Sequence, residues 1–378
     1  MLFKDVIGQA EVKERLVSSA RKGRVPHAQL FTGPKGSGKL AMALAYAQYL
    51  SCTQKGEHDS CGTCPSCKKY QRLEHPDLHF SFPITTTPKV KKDPISSKFL
   101  EEWRAFLTEK PYGTLFEWLE YLGVENKQAI INKDEALHIL VRLQLKPYES
   151  DFKVMIIWMA ERMNVPTANK LLKIIEEPPP KTVFLLVTDD EESLLGTIRS
   201  RTQTIGLHRI SDDEIISALR RDGFNDQEAN SVLTMADGNY PKALSLLRSS
   251  GDHEVHAQAF VEFIRKSYVA HRKPGDLVAL TEELSKMGRE RIRQFLQFTS
   301  GVLRDALMVN YDLKRLKRID LNRPEFQLEN FAQFIHGGNI ADIMEELNRA
   351  DYHIERNGNP KIVLLDLGIL MNRYLHQK

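Results

Sequence analysis

Ala28-Gln29-Leu30-Phe31-Thr32-Gly33-Pro34-Lys35-Gly36-Ser37-Gly38-Lys39-Leu40 decides the fold of this chain. Ala28 to Phe31 is a short strand, and from Leu40 to Leu50 the apolar residues recur at helical spacing. Between them stands a loop of the form Gly-x4-Gly-Lys, in the strand–loop–helix setting that gives the pattern its meaning. Such a loop turns backbone N–H groups inward to cradle phosphates, and the helix N-terminus adds a positive field. Gly33, Gly36, Gly38 and Lys39 are therefore candidate nucleotide-binding residues, with Lys39 reaching the outer phosphate oxygens. The pattern next calls for Ser or Thr, whose hydroxyl holds magnesium. This chain has Leu40, and a hydrocarbon cannot ligate a hard cation. ATP or ADP binding stays open, whereas metal-dependent hydrolysis is hard to sustain.

Working outward, Val12–Ala20, Asp134–Leu145 and Asn169–Glu177 read as helices, the last ended by Pro178-Pro179-Pro180. Leu78–Phe82, Val154–Trp158 and Val183–Val187 read as strands, and continuous apolar runs such as Val154–Trp158 suit buried parallel strands. This alternation predicts a doubly wound α/β P-loop domain over residues 1–206. After Ser211 the pattern is helical, which predicts a small all-α lid over 207–250 and a larger all-α domain over 251–378. A P-loop enzyme also needs an acidic pair at the end of a buried strand, to hold magnesium and polarise the attacking water. Here those positions are Trp158 and Met159, and Glu161 lies beyond them as a poor substitute. Residues 83–129 interrupt the alternation. They open on the run Ile84–Pro94, expected to be flexible. Two amphipathic segments follow, one carrying Phe99, Trp103, Phe106 and Leu107, the other Leu115, Trp118, Leu119 and Leu122. Packing within its own domain is the favoured reading of this insertion.

All four cysteines fall between Cys52 and Cys67, spaced C-x8-C-x2-C-x2-C. Two C-x2-C steps bring thiolates onto a tight turn, and Cys52 supplies the fourth corner from the end of the preceding helix. Four soft thiolates favour zinc, and a closed set leaves no open coordination position, so Cys52, Cys61, Cys64 and Cys67 read as a structural zinc knuckle. Pro65 and the nearby glycines suit the turns of a knuckle better than the helix start of a redox pair.

The 53 basic and 50 acidic side chains give a net charge of +3, which excludes a histone-like or strongly acidic protein. No apolar stretch is long enough for a membrane span, and Met1–Leu16 lacks a signal-peptide core, so a soluble intracellular protein is expected. Nine Lys/Arg between Lys286 and Arg318 face acids at only 290, 305 and 312; a solvated helix face is favoured there over a phosphate-facing surface.

The residues together resemble the bacterial DNA polymerase III clamp-loader subunits of the AAA+ class. The stretches that carry the likeness are Val6-Ile7-Gly8-Gln9, His27-Ala28, the phosphate loop, the four cysteines and His75-Pro76-Asp77. Asn169-Lys170-Leu171-Leu172-Lys173-Ile174-Ile175-Glu176-Glu177-Pro178-Pro179 and Arg199-Ser200-Arg201 complete it. The likeness is stronger to the delta-prime members than to the motor gamma/tau members. It covers about residues 3–206 apart from the insertion.

The resemblance implies that Val6 and Ile7 line an adenine pocket and that Thr188 is the polar residue facing the nucleotide. It also implies that Arg201, in a Ser-Arg-Thr version of the family's Ser-Arg-Cys element, is an arginine finger reaching ATP on a neighbouring subunit; Arg199 is the weaker alternative. Motor subunits carry a phosphate-sensing arginine at the position of Pro241, which cannot serve. The expected role is a non-hydrolysing scaffold in DNA replication, cytoplasmic, within the polymerase holoenzyme. Its implied partners are the gamma/tau motor and the clamp-opening delta subunits, with the sliding clamp and primer-template DNA reached through the complex. By resemblance, the C-terminal helices form the ring's collar. The other readings are an active gamma/tau-like ATPase and a zinc-dependent DNA-binding module.

Overall fold

The structure, a computed structural model, describes residues 1–378 apart from 126, 249, 314, 316–318, 320, 322–325, 357 and 378, and apart from the side chains of 234, 250–253 and 290. It divides into two compact units, Met1–Ser245 and Leu246–Lys378.

The first unit is built on five parallel strands: β1 (Ala28–Thr32), β2 (Leu78–Ser81), β3 (Lys153–Trp158), β4 (Thr182–Val187) and β5 (Gln203–Gly206). Their order across the sheet is β2-β3-β4-β1-β5. β1, β3 and β4 are buried along their whole length, which explains the apolar runs Val154–Trp158 and Val183–Val187, while in β1 the buried Gln29 donates to Pro26 O at 3.2 Å. Successive side chains still serve opposite faces. Val154, Ile156 and Trp158, with Val183, Leu185 and Val187, enter one core. Met155 and Ile157, with Phe184 and Leu186, enter the other. The first core takes helices Ala10–Arg21 and Lys39–Ser51; the second takes Lys133–Gln144 and Val165–Glu176. Lys39–Ser51 is buried on every side, and its alternate alanines at 41, 43, 45 and 47 allow close packing around it. The phosphate loop thus emerges at the carboxyl end of β1, between the ends of β4 and β5, where open α/β sheets hold ligands.

The Val165–Glu176 helix begins four residues before the sequence expectation. Asn164 accepts a hydrogen bond from Thr167 N–H at 2.9 Å, and Pro166 sits in the first turn, where its missing N–H costs nothing.

The insertion packs within its own unit. Ile84 and Ile130 exchange backbone hydrogen bonds of 3.1 and 3.2 Å across its two ends. Its helices, Leu100–Glu109 and Leu115–Tyr121, bury Trp103 and Trp118 completely. Trp103 stacks on Phe82 with ring centres 4.1 Å apart and lies 5.0 Å from Trp158 and 5.1 Å from Trp118. All three tryptophans of the chain therefore share one cluster.

After Ser211, helices Asp212–Arg221, Asp226–Ala236 and Tyr240–Arg248 follow. Ser211 with Glu214, and Asn225 with Glu228, form reciprocal capping boxes that start the first two. The second unit is helical, with long helices at Ser250–Tyr268, Pro274–Ser285, Arg289–Asn310, Ile340–Glu355 and Pro360–Leu375. Within the basic stretch, Arg293 forks onto Asp351 at 2.9 and 3.2 Å, and Arg289 donates to the carbonyls of Ile354 and Gly358. These two arginines hold neighbouring helices together. Lys314, Lys317 and Arg318 of that stretch lie outside the described residues. No helix among the described residues is long and apolar enough to cross a membrane.

Candidate functional site

The phosphate loop has the backbone its glycines allow. Gly36 and Gly38 hold φ of 77° and 86°, in the left-handed region open to glycine, and Gly38 leads directly into the Lys39–Ser51 helix. Lys39 is 4% exposed, and its ammonium spends three donors on three acceptors. These are Gly33 O at 2.8 Å, Pro34 O at 2.7 Å and a carboxylate oxygen of Asp189 at 2.9 Å. Asp189 supplies in cis the anionic oxygen that a P-loop lysine otherwise takes from phosphate.

Asp189 is placed by its neighbours. Its N–H donates to Glu161 at 3.1 Å, and the Thr188 hydroxyl donates to the other Glu161 oxygen at 2.7 Å. Burial raises the Glu161 carboxyl above its ordinary range, opposed by the Thr188 hydrogen bond. Lys39 and Thr188, singled out in the sequence, are thus joined through two acids that the sequence did not assign. Asp189 and Glu161 carry no recognisable motif. Their only sequence signal is position, immediately after β4 and just beyond β3.

The positions expected to hold the magnesium ligand and the acidic pair lie in the core. Leu40, Trp158 and Met159 are 5%, 3% and 7% exposed and belong to the same apolar cluster. Val6 and Ile7 are buried beside the loop, and Gln9 clamps residue 208 by accepting from His208 N–H at 3.0 Å and donating to His208 O at 2.5 Å. Asn239, just before the helix that begins Tyr240-Pro241, lies against Gly36 so closely that no Cβ fits there.

Arg201 lies at the end of the short helix Gly196–Arg199. Its Nε donates to Glu176 at 2.6 Å and its Nη1 to Thr197 O at 3.1 Å. Among the described residues Nη2 makes no hydrogen bond, so one end of the guanidinium is available to an anion from outside. Glu176 belongs to the Asn169–Pro179 stretch quoted above, but its contact with Arg201 was not read from the sequence. Arg199 stands 4.0 Å from Glu191.

The four cysteine sulfurs lie within 4.8 Å of one another. Cys52 and Cys61 sulfurs are 3.6 Å apart, Cys61 and Cys67 3.9 Å. A tetrahedron with metal–sulfur bonds of about 2.3 Å has edges of about 3.8 Å, so the set fits one ion. The N–H groups of Cys61, Cys64 and Cys67 donate to the sulfurs of Cys52, Cys61 and Cys64 at 3.3–3.4 Å, which favours charged thiolates. Cys52 caps the helix Lys39–Ser51, as its spacing suggests. Pro65, read as a turn residue, is instead the first residue of the helix Pro65–Gln71, with Cys64 as its cap.

His75-Pro76-Asp77 has a structural role here. The buried Asp77 accepts the N–H groups of Tyr148, Glu149 and Ser150 at 2.5, 2.9 and 2.9 Å, fixing the entry into β3.

A family model described as "DNA polymerase III, delta subunit" matches residues 8–211, more than half of the chain. The delta-prime subunit of DNA polymerase III from Escherichia coli is 28% identical over 96% of this chain and 93% of its own. That from Bacillus subtilis is 28% identical over 71% of this chain and 66% of its own. A gamma/tau subunit from Mycobacterium tuberculosis is 30% identical over 53% of this chain, and the match spans only 27% of that longer protein. With the P-loop sheet and the four-cysteine cluster in place, the chain belongs to the DNA polymerase III delta-subunit family.

Proposed function

We propose that this chain is a non-hydrolysing subunit of the DNA polymerase III clamp loader. It scaffolds the ring and offers Arg201 to ATP held by a neighbouring motor subunit of the gamma/tau kind. The observation that carries this reading is the contrast between two cations. Lys39 is saturated within a cleft whose metal and acid positions are hydrocarbon. Arg201 is held by Nε and Nη1 with its other end available.

A guanidinium stays charged at any physiological pH and bridges phosphate oxygens as charge develops in phosphoryl transfer. Glu176 and Thr197 orient it without consuming both ends. The likeness to delta-prime and gamma/tau subunits of DNA polymerase III supports a place in that assembly; delta and gamma/tau partners, a sliding clamp, primer-template DNA and a cytoplasmic location belong to the same reading. The three-part division into P-loop domain, lid and collar (1–206, 207–250, 251–378) belongs to the same reading. The cysteine cluster holds one structural zinc. Bound there, the ion cross-links the end of the Lys39–Ser51 helix to the Pro65–Gln71 helix.

Arg201→Ala is the test. A loader reconstituted with gamma/tau and delta subunits should assemble normally and lose about 1,000-fold or more in ATP turnover at the site that Arg201 faces, the low end of the arginine-finger range. An unchanged rate removes the trans role. Magnesium-dependent hydrolysis by the isolated chain would overturn the scaffold reading in favour of an active ATPase.

A further inference from the structure

We propose that the purine-nucleotide cleft of this chain is stoppered by its own insertion, through Tyr112. The inference rests on the reading above, in which the cleft has no catalytic task, and concerns what the cleft holds instead. Tyr112 lies in the turn between the helices Leu100–Glu109 and Leu115–Tyr121, a turn closed by Gly113 N–H donating to Lys110 O at 2.9 Å. From there it reaches back more than a hundred residues in sequence. Its hydroxyl accepts the N–H of Ile7 at 2.7 Å, in the segment the resemblance assigns to the adenine pocket. Its ring lies over the phosphate loop: a Cβ built on Gly38 would stand 2.8 Å from Tyr112 Cε1.

A phosphate bound by such a loop places oxygens about 3 Å from the loop N–H groups. The Tyr112 ring stands beside Gly38, against that loop. Two further residues close the same space. The Tyr240 ring meets Tyr112 edge-on with centres 5.2 Å apart, and Asn239 covers Gly36. Burial lifts the Tyr112 phenol to about 12, opposed by the Ile7 hydrogen bond, so the stopper is neutral at working pH. Tyr112 thus touches both the segment assigned to the base and the loop assigned to the phosphates, and on this proposal a purine nucleoside diphosphate enters only when Tyr112 leaves.

The test is equilibrium binding of a fluorescent N-methylanthraniloyl ADP to the full-length chain, with metal content and thermal melting as checks of folding. Wild type and Tyr112→Phe, which keeps the ring, should bind at least about 100-fold more weakly than Tyr112→Ala, about 2.7 kcal/mol. Adding Lys39→Ala to Tyr112→Ala should abolish the gained binding, which assigns it to this cleft. Tyr112→Ser replaces Tyr112→Ala if the latter does not fold. The proposal is overturned if wild type binds as tightly as the truncated variant, or if a folded truncated variant gains nothing. Binding by wild type without turnover would remove the stopper and leave the role of Arg201 standing.

Discussion

Trp103 and Trp118 are both fully buried in one aromatic cluster, yet they differ in one bond, and that bond sets their tolerance to substitution. The indole N–H of Trp118 donates to Pro83 O at 3.0 Å. The indole N–H of Trp103 finds no acceptor among the described residues. Replacing either by Phe removes one ring's worth of packing, roughly 1 kcal/mol as residual cavity. For Trp118→Phe the Pro83 carbonyl also loses its donor inside the core, adding about 1–3 kcal/mol. For Trp103→Phe an unpaired buried donor is removed, a gain of up to about 1 kcal/mol that offsets the cavity. The expected losses are about 2–4 kcal/mol for Trp118→Phe and about 0–1 kcal/mol for Trp103→Phe. Trp103→Ala, which also forfeits the stack on Phe82, should cost about 3–5 kcal/mol. Urea unfolding followed by tryptophan emission reads this directly, because every tryptophan lies in this cluster and the signal reports the first unit alone. Equal losses for the two Phe variants, or under about 1 kcal/mol for Trp103→Ala, would refute the argument and with it the place of the insertion in the core.

Elemental analysis should find one zinc per chain, and Cys67→Ser, which removes the most enclosed ligand, should lower the metal content and the melting temperature together. Burial, reinforced by Arg142 and Lys153, depresses His79 to about 4, so below about pH 6.5 the unfolded chain takes up a proton that the folded chain refuses. Stability should therefore fall with acid between about pH 6.5 and 4, by up to about 1.4 kcal/mol per pH unit, and His79→Gln should flatten that slope in urea melts. Asp189→Asn should destabilise by about 1–3 kcal/mol in the same melts, because it removes the counter-charge of an ammonium that is 4% exposed while Gly33 O and Pro34 O still accept from it.

The elements that the sequence made legible are those whose cause is local. β3 and β4 are visible because a strand buried on both faces is largely apolar, β1 because it leads into the glycine loop, and the four cysteines because a metal cluster needs its ligands at short spacing. The start of the Val165–Glu176 helix was missed although its cap, Asn164, stands in plain view; the apolar periodicity drew the boundary later than the hydrogen bond does. Pro65 starts a helix rather than a turn for a different reason: the spacing of thiols says nothing about which of the two the chain between them forms. The cleft was least legible. Tyr112 meets Ile7, Asp189 meets Lys39, and Glu176 meets Arg201 across intervals that only the tertiary fold closes. No periodicity or spacing could have pointed to those partners.

The same distinction explains how a phosphate loop can remain readable where the magnesium-ligand and acid positions hold apolar side chains. Gly38 has no room for a Cβ because Tyr112 lies against it, and Gly36 has none because Asn239 does. Both also hold φ values that a side chain would strain. Lys39 is retained by an equally internal demand, since three acceptors converge on it and its removal would leave them unsatisfied. The packing of this fold thus requires the glycines and the lysine whether or not a nucleotide arrives. They identify the architecture without deciding the chemistry. The proposed absence of hydrolysis rests instead on positions 40, 158 and 159, whose apolar side chains pack into the core.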